Sequence, residues 1–144
     1  MKYVLLVSHG TIAPAMHETM NAFFIGSRPD LLDASMKEDM GPDEYTELVE
    51  HTLRCVRPED ELIVLADLPG GSPLTYASYV INLKGILDRT VFLAGMNLPT
   101  AIDVMLRKDT MSLSELEKAV LNAQENALHP FVLPVLKEDC AELI

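Results

Sequence analysis

The sequence predicts an α/β fold in which four strands alternate with helices around a parallel sheet. Two apolar runs, and the periodic segments between such runs, carry that prediction. Tyr3-Val4-Leu5-Leu6-Val7 and Leu62-Ile63-Val64-Leu65-Ala66 are short and apolar throughout. Strands buried on both faces of a parallel sheet have this character. Strands that alternate with helices call for right-handed parallel crossovers. Each run stops at a polar residue and opens into glycine, as Ser8-His9-Gly10 and as Asp67-Leu68-Pro69-Gly70-Gly71-Ser72-Pro73. If the two strands are neighbours, His9 and Asp67 emerge together at the carboxyl edge, where open α/β sheets place their ligand sites.

The elements follow in order. After the first strand, Ile12, Met16, Met20 and Phe24, with Phe23, recur at helical spacing, and this stripe reads as core. Gly26 is placed to end that helix. Leu31 to Met36 is the second strand. Gly41-Pro42 opens a helix, with proline acceptable at its first position, and Tyr45, Leu48, Val49, Thr52 and Val56 mark its buried face. The third strand is Glu61 to Ala66. Ser72-Pro73 reads as N-cap and first residue of a helix running to about Lys84. The fourth strand, Thr90 to Ala94, ends in Gly95-Met96-Asn97-Leu98-Pro99. Ile102, Met105 and Leu106 form a short helical face, and Asp109 to Ser112 is a loop. Ser112-Leu113-Ser114-Glu115 is a capping box opening a helix through roughly Ala127. Phe131 to Leu136, interrupted by Pro134, predicts a strand at an edge or away from the main sheet.

Composition narrows the function classes. The 144 residues suit one domain, and no repeat, low-complexity segment or linker divides them. A hydrophobic content of 49% is enough to cover a sheet on both sides. A formal net charge of -11 argues against a nucleic-acid partner, which needs a basic footprint, and against anionic membranes. No apolar stretch approaches the length of a membrane span, and no signal peptide is apparent. Cys55 and Cys140 belong to no CxxC and read as free thiols in a reducing, cytoplasmic setting. No metal-ligand spacing and no cofactor motif is present, so neither is expected.

The chemistry centres on His9. Neutral imidazole is a nucleophile when one nitrogen is free and the other protonated. A carboxylate such as Asp67 fixes that tautomer and stabilises the positive charge that develops as Nε2 attacks. Backbone N–H groups at Gly70, Gly71 and Ser72, with the start of the next helix, offer donors to an anion. The glycines permit close backbone approach. Phosphoryl transfer is mostly positioning and charge stabilisation, so this kit suffices for it. His17, His51 and His129 lack such a setting and read as surface or packing residues.

Ser8-His9-Gly10, Asp67 to Pro73 and Gly95 to Pro99 resemble, in order and spacing, the enzyme IIA component of the mannose family of the bacterial sugar phosphotransferase system. The resemblance covers Met1 to about Ala127. It implies a doubly wound, mainly parallel four-stranded sheet with helices on both faces, in a homodimer with a C-terminal edge strand exchanged between subunits. It implies that His9 accepts a phosphoryl group from the phosphocarrier HPr and passes it to an enzyme IIB component. Asp67 would orient His9, and Gly70, Gly71 and Ser72 would hold the phosphoryl group. Fused members carry a linker and a IIB domain; this chain stops at Ile144, so a single IIA domain over residues 1–144 is expected, with the tail, residues 128–144, in the dimer contact.

Three other readings are compatible with these residues. The phosphoryl-donor subunit of a phosphotransferase-dependent dihydroxyacetone kinase also has a first strand ending in Ser-His. A hydrolase would use Ser72 with His9 and Asp67, but the GxSxG elbow is missing. A non-catalytic regulatory module would merely bind an anion at the glycine loop.

Overall fold

The computed structural model describes residues 1–135. Its strands, Lys2–His9 (β1), Leu31–Met36 (β2), Glu61–Ala66 (β3) and Thr90–Ala94 (β4), form one parallel sheet in the order β2-β1-β3-β4. The helices are Ile12–Phe23 (α1), Pro42–Thr52 (α2), Ser72–Lys84 (α3), Leu98–Arg107 (α4) and Leu113–Asn122 (α5). Alternate side chains of the two central strands serve opposite layers. Tyr3, Leu5, Val7, Leu62, Val64 and Ala66 pack with Tyr45, Val49, Ala77, Val80 and Ile81 of α2 and α3. Val4, Leu6, Ile63 and Leu65 pack with Met20, Ala101, Val104, Leu116 and Val120 of α1, α4 and α5. Burial on both faces is why neither central strand alternates with polar residues.

The register positions the site. Val7 lies beside Ala66, so β1 and β3 release His9 and Asp67 side by side at the carboxyl edge. The chain crosses from β1 to β2 on one side and reaches β3 on the other, which makes this the point where the strand order reverses. The opposite edge is held by charge. Lys108 Nζ, whose side chain is buried, lies 2.7 Å from Asp30 Oδ2 and 2.9 Å from Asp109 Oδ1. Arg28 holds both Asp30 oxygens, at 3.0 and 2.7 Å. This cluster fastens the end of α4 to the residue that precedes β2.

Four expectations are corrected. The α1 stripe is not all core: Ala13 and Met20 are buried, whereas Ile12 and Phe23 face solvent. In α4, Ala101, Val104 and Met105 are the buried residues, and Leu106 is exposed because it lies on the outer side of the turn. The last helix ends at Asn122, five residues early, and passes into a 3₁₀ turn at Gln124–Asn126. Phe131 to Val135 form no strand in the single chain and are exposed, because no sheet edge of this chain receives them; Leu136 lies outside the described residues.

Candidate active site

His9 closes β1, and its ring turns toward Asp67, the first residue beyond β3. Asp67 Oδ2 accepts from the His9 backbone N–H at 2.9 Å and sits 2.8 Å from Nδ1. A carboxylate only accepts, so Nδ1 carries the proton and Nε2 keeps its lone pair. Asp67 Oδ1 accepts from the Leu68 N–H at 2.9 Å, and the Asp67 N–H extends the sheet ladder to the Val7 carbonyl. Burial pushes the Asp67 carboxyl up, but the hydrogen bonds from the His9 backbone and ring and from the Leu68 N–H outweigh it. The carboxyl is held below its ordinary range, so it is ionised wherever the imidazole works. The His9 side chain is 45% exposed against 10% for Asp67, so the ring presents its free nitrogen to solvent while its anchor stays inside.

The glycine loop meets the ring directly. A Cβ built on Gly71 would lie 2.9 Å from His9 Cε1 and 3.7 Å from Nε2. Gly71 is therefore a wall of the imidazole slot, and only glycine leaves room for the ring there. Gly70, at φ +74°, makes the left-handed turn that brings Gly71 in. Gly71, in extended backbone, is the N-cap of α3, and Ser72 is its first helical residue, which corrects the reading of Ser72 as N-cap. Pro73 then occupies the second helical position, where its missing N–H is one of the donors a helix start leaves unpaired anyway. Ser72 is exposed, and its hydroxyl makes no hydrogen bond among the described residues. No acceptor among them takes the N–H groups of Gly70, Gly71 or Ser72. The positive end of a helix and these free donors therefore stand beside Nε2.

Several residues whose motifs the sequence shows, but not their contacts, support the site. The Gly95 and Met96 N–H groups both donate to the Ala66 carbonyl, at 2.9 and 2.8 Å, and so fix the residue before Asp67. Asn97 Oδ1 caps α4 by accepting from the Thr100 N–H at 2.9 Å. Buried Ser8 accepts from the Ala13 N–H at 2.8 Å and holds α1 against the end of β1. Tyr45, fully buried, donates to the Ala34 carbonyl at 3.0 Å, and burial plus the Asp67 charge push its hydroxyl far above its ordinary value. Of the other histidines, His51 and His129 are exposed. His17, expected to lack a carboxylate, has one: Nδ1 lies 2.5 Å from Asp33 Oδ2 on β2. The pairing is across the fold, so sequence neighbours gave no sign of it.

A family profile described as the PTS system fructose IIA component, EIIA-man, matches residues 3–121 of the chain. The chain belongs to this family. The fructose-specific EIIA component of the Bacillus subtilis phosphotransferase system is 26% identical over 113 residues, covering 78% of this chain and 75% of that protein. The mannose/sorbose-specific IIA subunit from Enterococcus faecalis superposes with a TM-score of 0.71 at 26% identity, over 95% of this chain and all of that one. The EIIA component from Streptococcus agalactiae gives a TM-score of 0.75 at 17% identity, over 90% and 97% of the two chains. The EIIA assignment and the four-stranded parallel sheet thus agree with the motifs read from sequence. No helix among the described residues is long and apolar enough to cross a membrane.

Proposed function

We propose that this EIIA chain is a phosphocarrier whose His9 Nε2 takes a phosphoryl group from phosphorylated HPr and passes it to an enzyme IIB component during sugar uptake. The bond between His9 Nδ1 and Asp67, which leaves Nε2 free beside the start of α3, carries this reading. The Nε2 lone pair attacks phosphorus as the donor's own nitrogen departs with the electrons of its phosphorus bond. Asp67 stabilises the imidazolium character that grows on His9. The N–H groups of Gly70, Gly71 and Ser72, with the Ser72 hydroxyl, receive the phosphoryl oxygens. Transfer to the IIB component reverses these steps, in the cytoplasm. The sugar is not touched by this chain. Incubation with phosphoenolpyruvate, enzyme I and HPr tests the reading. One equivalent of acid-labile, base-stable phosphate is expected on the wild-type protein and none on His9→Ala; a full equivalent on the variant refutes it.

The same reading includes a homodimer. Leu128, Phe131, Val132, Leu133 and Val135 are exposed in the single chain, a length of apolar surface that solution does not favour. β4 leaves a sheet edge unpaired among the described residues, and pairing such an edge is the usual remedy for it. In this dimer the tail of one subunit reaches the partner's sheet edge.

A further inference from the structure

Leu68 stands between Asp67 and the glycines, the one long aliphatic side chain in a loop otherwise built of acid, proline, glycine and serine. The transfer chemistry uses its backbone and gives no part to its side chain. That side chain is 54% exposed and belongs to neither core layer, so packing does not require it to be apolar. Its place is nevertheless closely set. The Leu68 N–H donates to Asp67 Oδ1 at 2.9 Å, and the proline that follows confines Leu68 to extended backbone. The point where a Cβ would stand on Gly71 lies 3.5 Å from Leu68 Cβ and 3.7 Å from His9 Nε2. Leu68 Cβ and the free nitrogen thus flank one small space. The leucine methyl groups stand two bonds beyond Cβ, and the oxygens of a phosphoryl group on Nε2 stand two bonds beyond the ring. These extensions are long enough to close the gap between them.

We propose that the Leu68 side chain is an apolar cover over the phosphoryl group on His9, which keeps water from phosphorus while the group waits for its acceptor. The proposal rests on the phosphocarrier reading of His9. The His9 side chain is 45% exposed, so the loaded nitrogen stands within reach of solvent. Hydrolysis is then the wasteful alternative to onward transfer. A water oxygen bonds to phosphorus as the bond from phosphorus to Nε2 breaks. The electron pair returns to Nε2, both protons of the water leave on dihydrogen phosphate, and Nδ1 keeps its proton bonded to Asp67. Asp67 and the N–H groups of the glycine loop assist this reaction as they assist transfer, because they act on the ring and the phosphoryl oxygens whatever atom attacks. Discrimination against water therefore falls to what stands in its path. A leucine side chain has no donor or acceptor with which to hold a water for attack. An acceptor protein brings its own nucleophile on a surface that packs against an exposed leucine; a single water finds no partner there.

The lifetime of the phosphorylated protein tests this. Wild type and variants are loaded from phosphoenolpyruvate with enzyme I and HPr, freed of both proteins, and followed at neutral pH for release of inorganic phosphate. Leu68→Ala keeps the backbone N–H on Asp67 and removes the methyl groups. It is expected to lose phosphate about tenfold faster than wild type, a hydrolysis barrier lower by about 1.4 kcal/mol. Leu68→Met, apolar and of similar volume, is expected to keep the wild-type lifetime. So is Leu83→Ala, at an exposed leucine near the far end of α3. The sign separates a cover from a prop: displacing Asp67 would slow loading and loss alike, whereas opening the cover speeds loss. If Leu68→Ala releases phosphate at the wild-type rate or more slowly, the cover is wrong and the phosphocarrier reading stands. If Leu68→Met loses phosphate as fast as Leu68→Ala, or Leu83→Ala does, apolar bulk at this position is not the cause and the proposal fails. If the wild-type protein takes no phosphate from fully phosphorylated HPr, both readings fall together.

Discussion

Gly71→Ala separates the geometry of the site from the stability of the fold. The backbone at Gly71, with φ -73° and ψ 160°, is open to any residue, and restricting the unfolded chain with alanine favours the folded state by about 0.4–1 kcal/mol. The added methyl would nevertheless sit 2.9 Å from His9 Cε1. Ordinary carbon contact begins near ~3.5 Å, so the ring must retreat by about 0.6 Å. Nδ1 is tied to Asp67 at 2.8 Å and the His9 N–H to the same oxygen at 2.9 Å, so the ring has no slack to retreat without straining the bond that sets its tautomer. Misplacement of a reacting group by about 1 Å costs on the order of 10²-fold in rate, so a loss of about 10- to 100-fold is expected here. Rapid quench with phosphorylated HPr measures it, and a thermal melt reports the fold. A variant that melts at or above the wild-type temperature and transfers slowly fits the argument. Wild-type transfer by Gly71→Ala would refute the claim that Gly71 seats the ring.

Three further outcomes are expected. Asp67→Asn should keep the fold and slow transfer by a factor on the order of 10² to 10⁴, since an amide bonds the ring without stabilising its charge; an unchanged stopped-flow rate removes Asp67 from the mechanism. Lys108→Ala should cost about 3 kcal/mol in urea denaturation at pH 7, because it strips a buried partner from Asp30. Burial raises the Asp30 carboxyl, but Arg28 and Lys108 pull it below its ordinary range. That stabilisation is complete above the unfolded value of about 4 and is lost as pH falls through the folded value, so the deficit of Lys108→Ala should shrink below about pH 4. Truncation after His129 should weaken the proposed dimer and leave His9 chemistry intact; sedimentation showing an unchanged dissociation constant would overturn the part given to the tail.

The sheet was legible because its two central strands are buried on both sides, which leaves an unbroken apolar run in the sequence. Their polar ends were legible for the same reason: His9 and Asp67 stand where the run stops. Parallel alternation predicts that the two strands pair, and the register Val7 to Ala66 makes it a contact. What failed was local detail that tertiary contacts decide. Ile12 and Phe23 fit a helical stripe, yet a helix of three turns has room for only part of its apolar face against this sheet. The apolar side chains of the tail predict a strand, but a strand exists only where an edge accepts it, and the single chain offers none to residues 131–135. His17 found its carboxylate on β2, sixteen residues away in sequence. The steric part played by Gly71 was not legible, because the absence of a side chain leaves no pattern to read.

The two bonds that Asp67 Oδ2 takes from His9 reach a single residue through its backbone and through its ring. Together they close a small cycle that fixes both side-chain torsions before any partner arrives. The same cycle persists when Nε2 is occupied, because neither bond involves that atom. The carboxylate therefore favours a protonated Nδ1 in the loaded and in the empty state alike. A ring that carries positive character makes a better nucleofuge toward the next acceptor, just as it was better supported while the charge was forming. In the proposed transfer, one pair of hydrogen bonds thus supports the same developing charge whether the phosphoryl group arrives or departs.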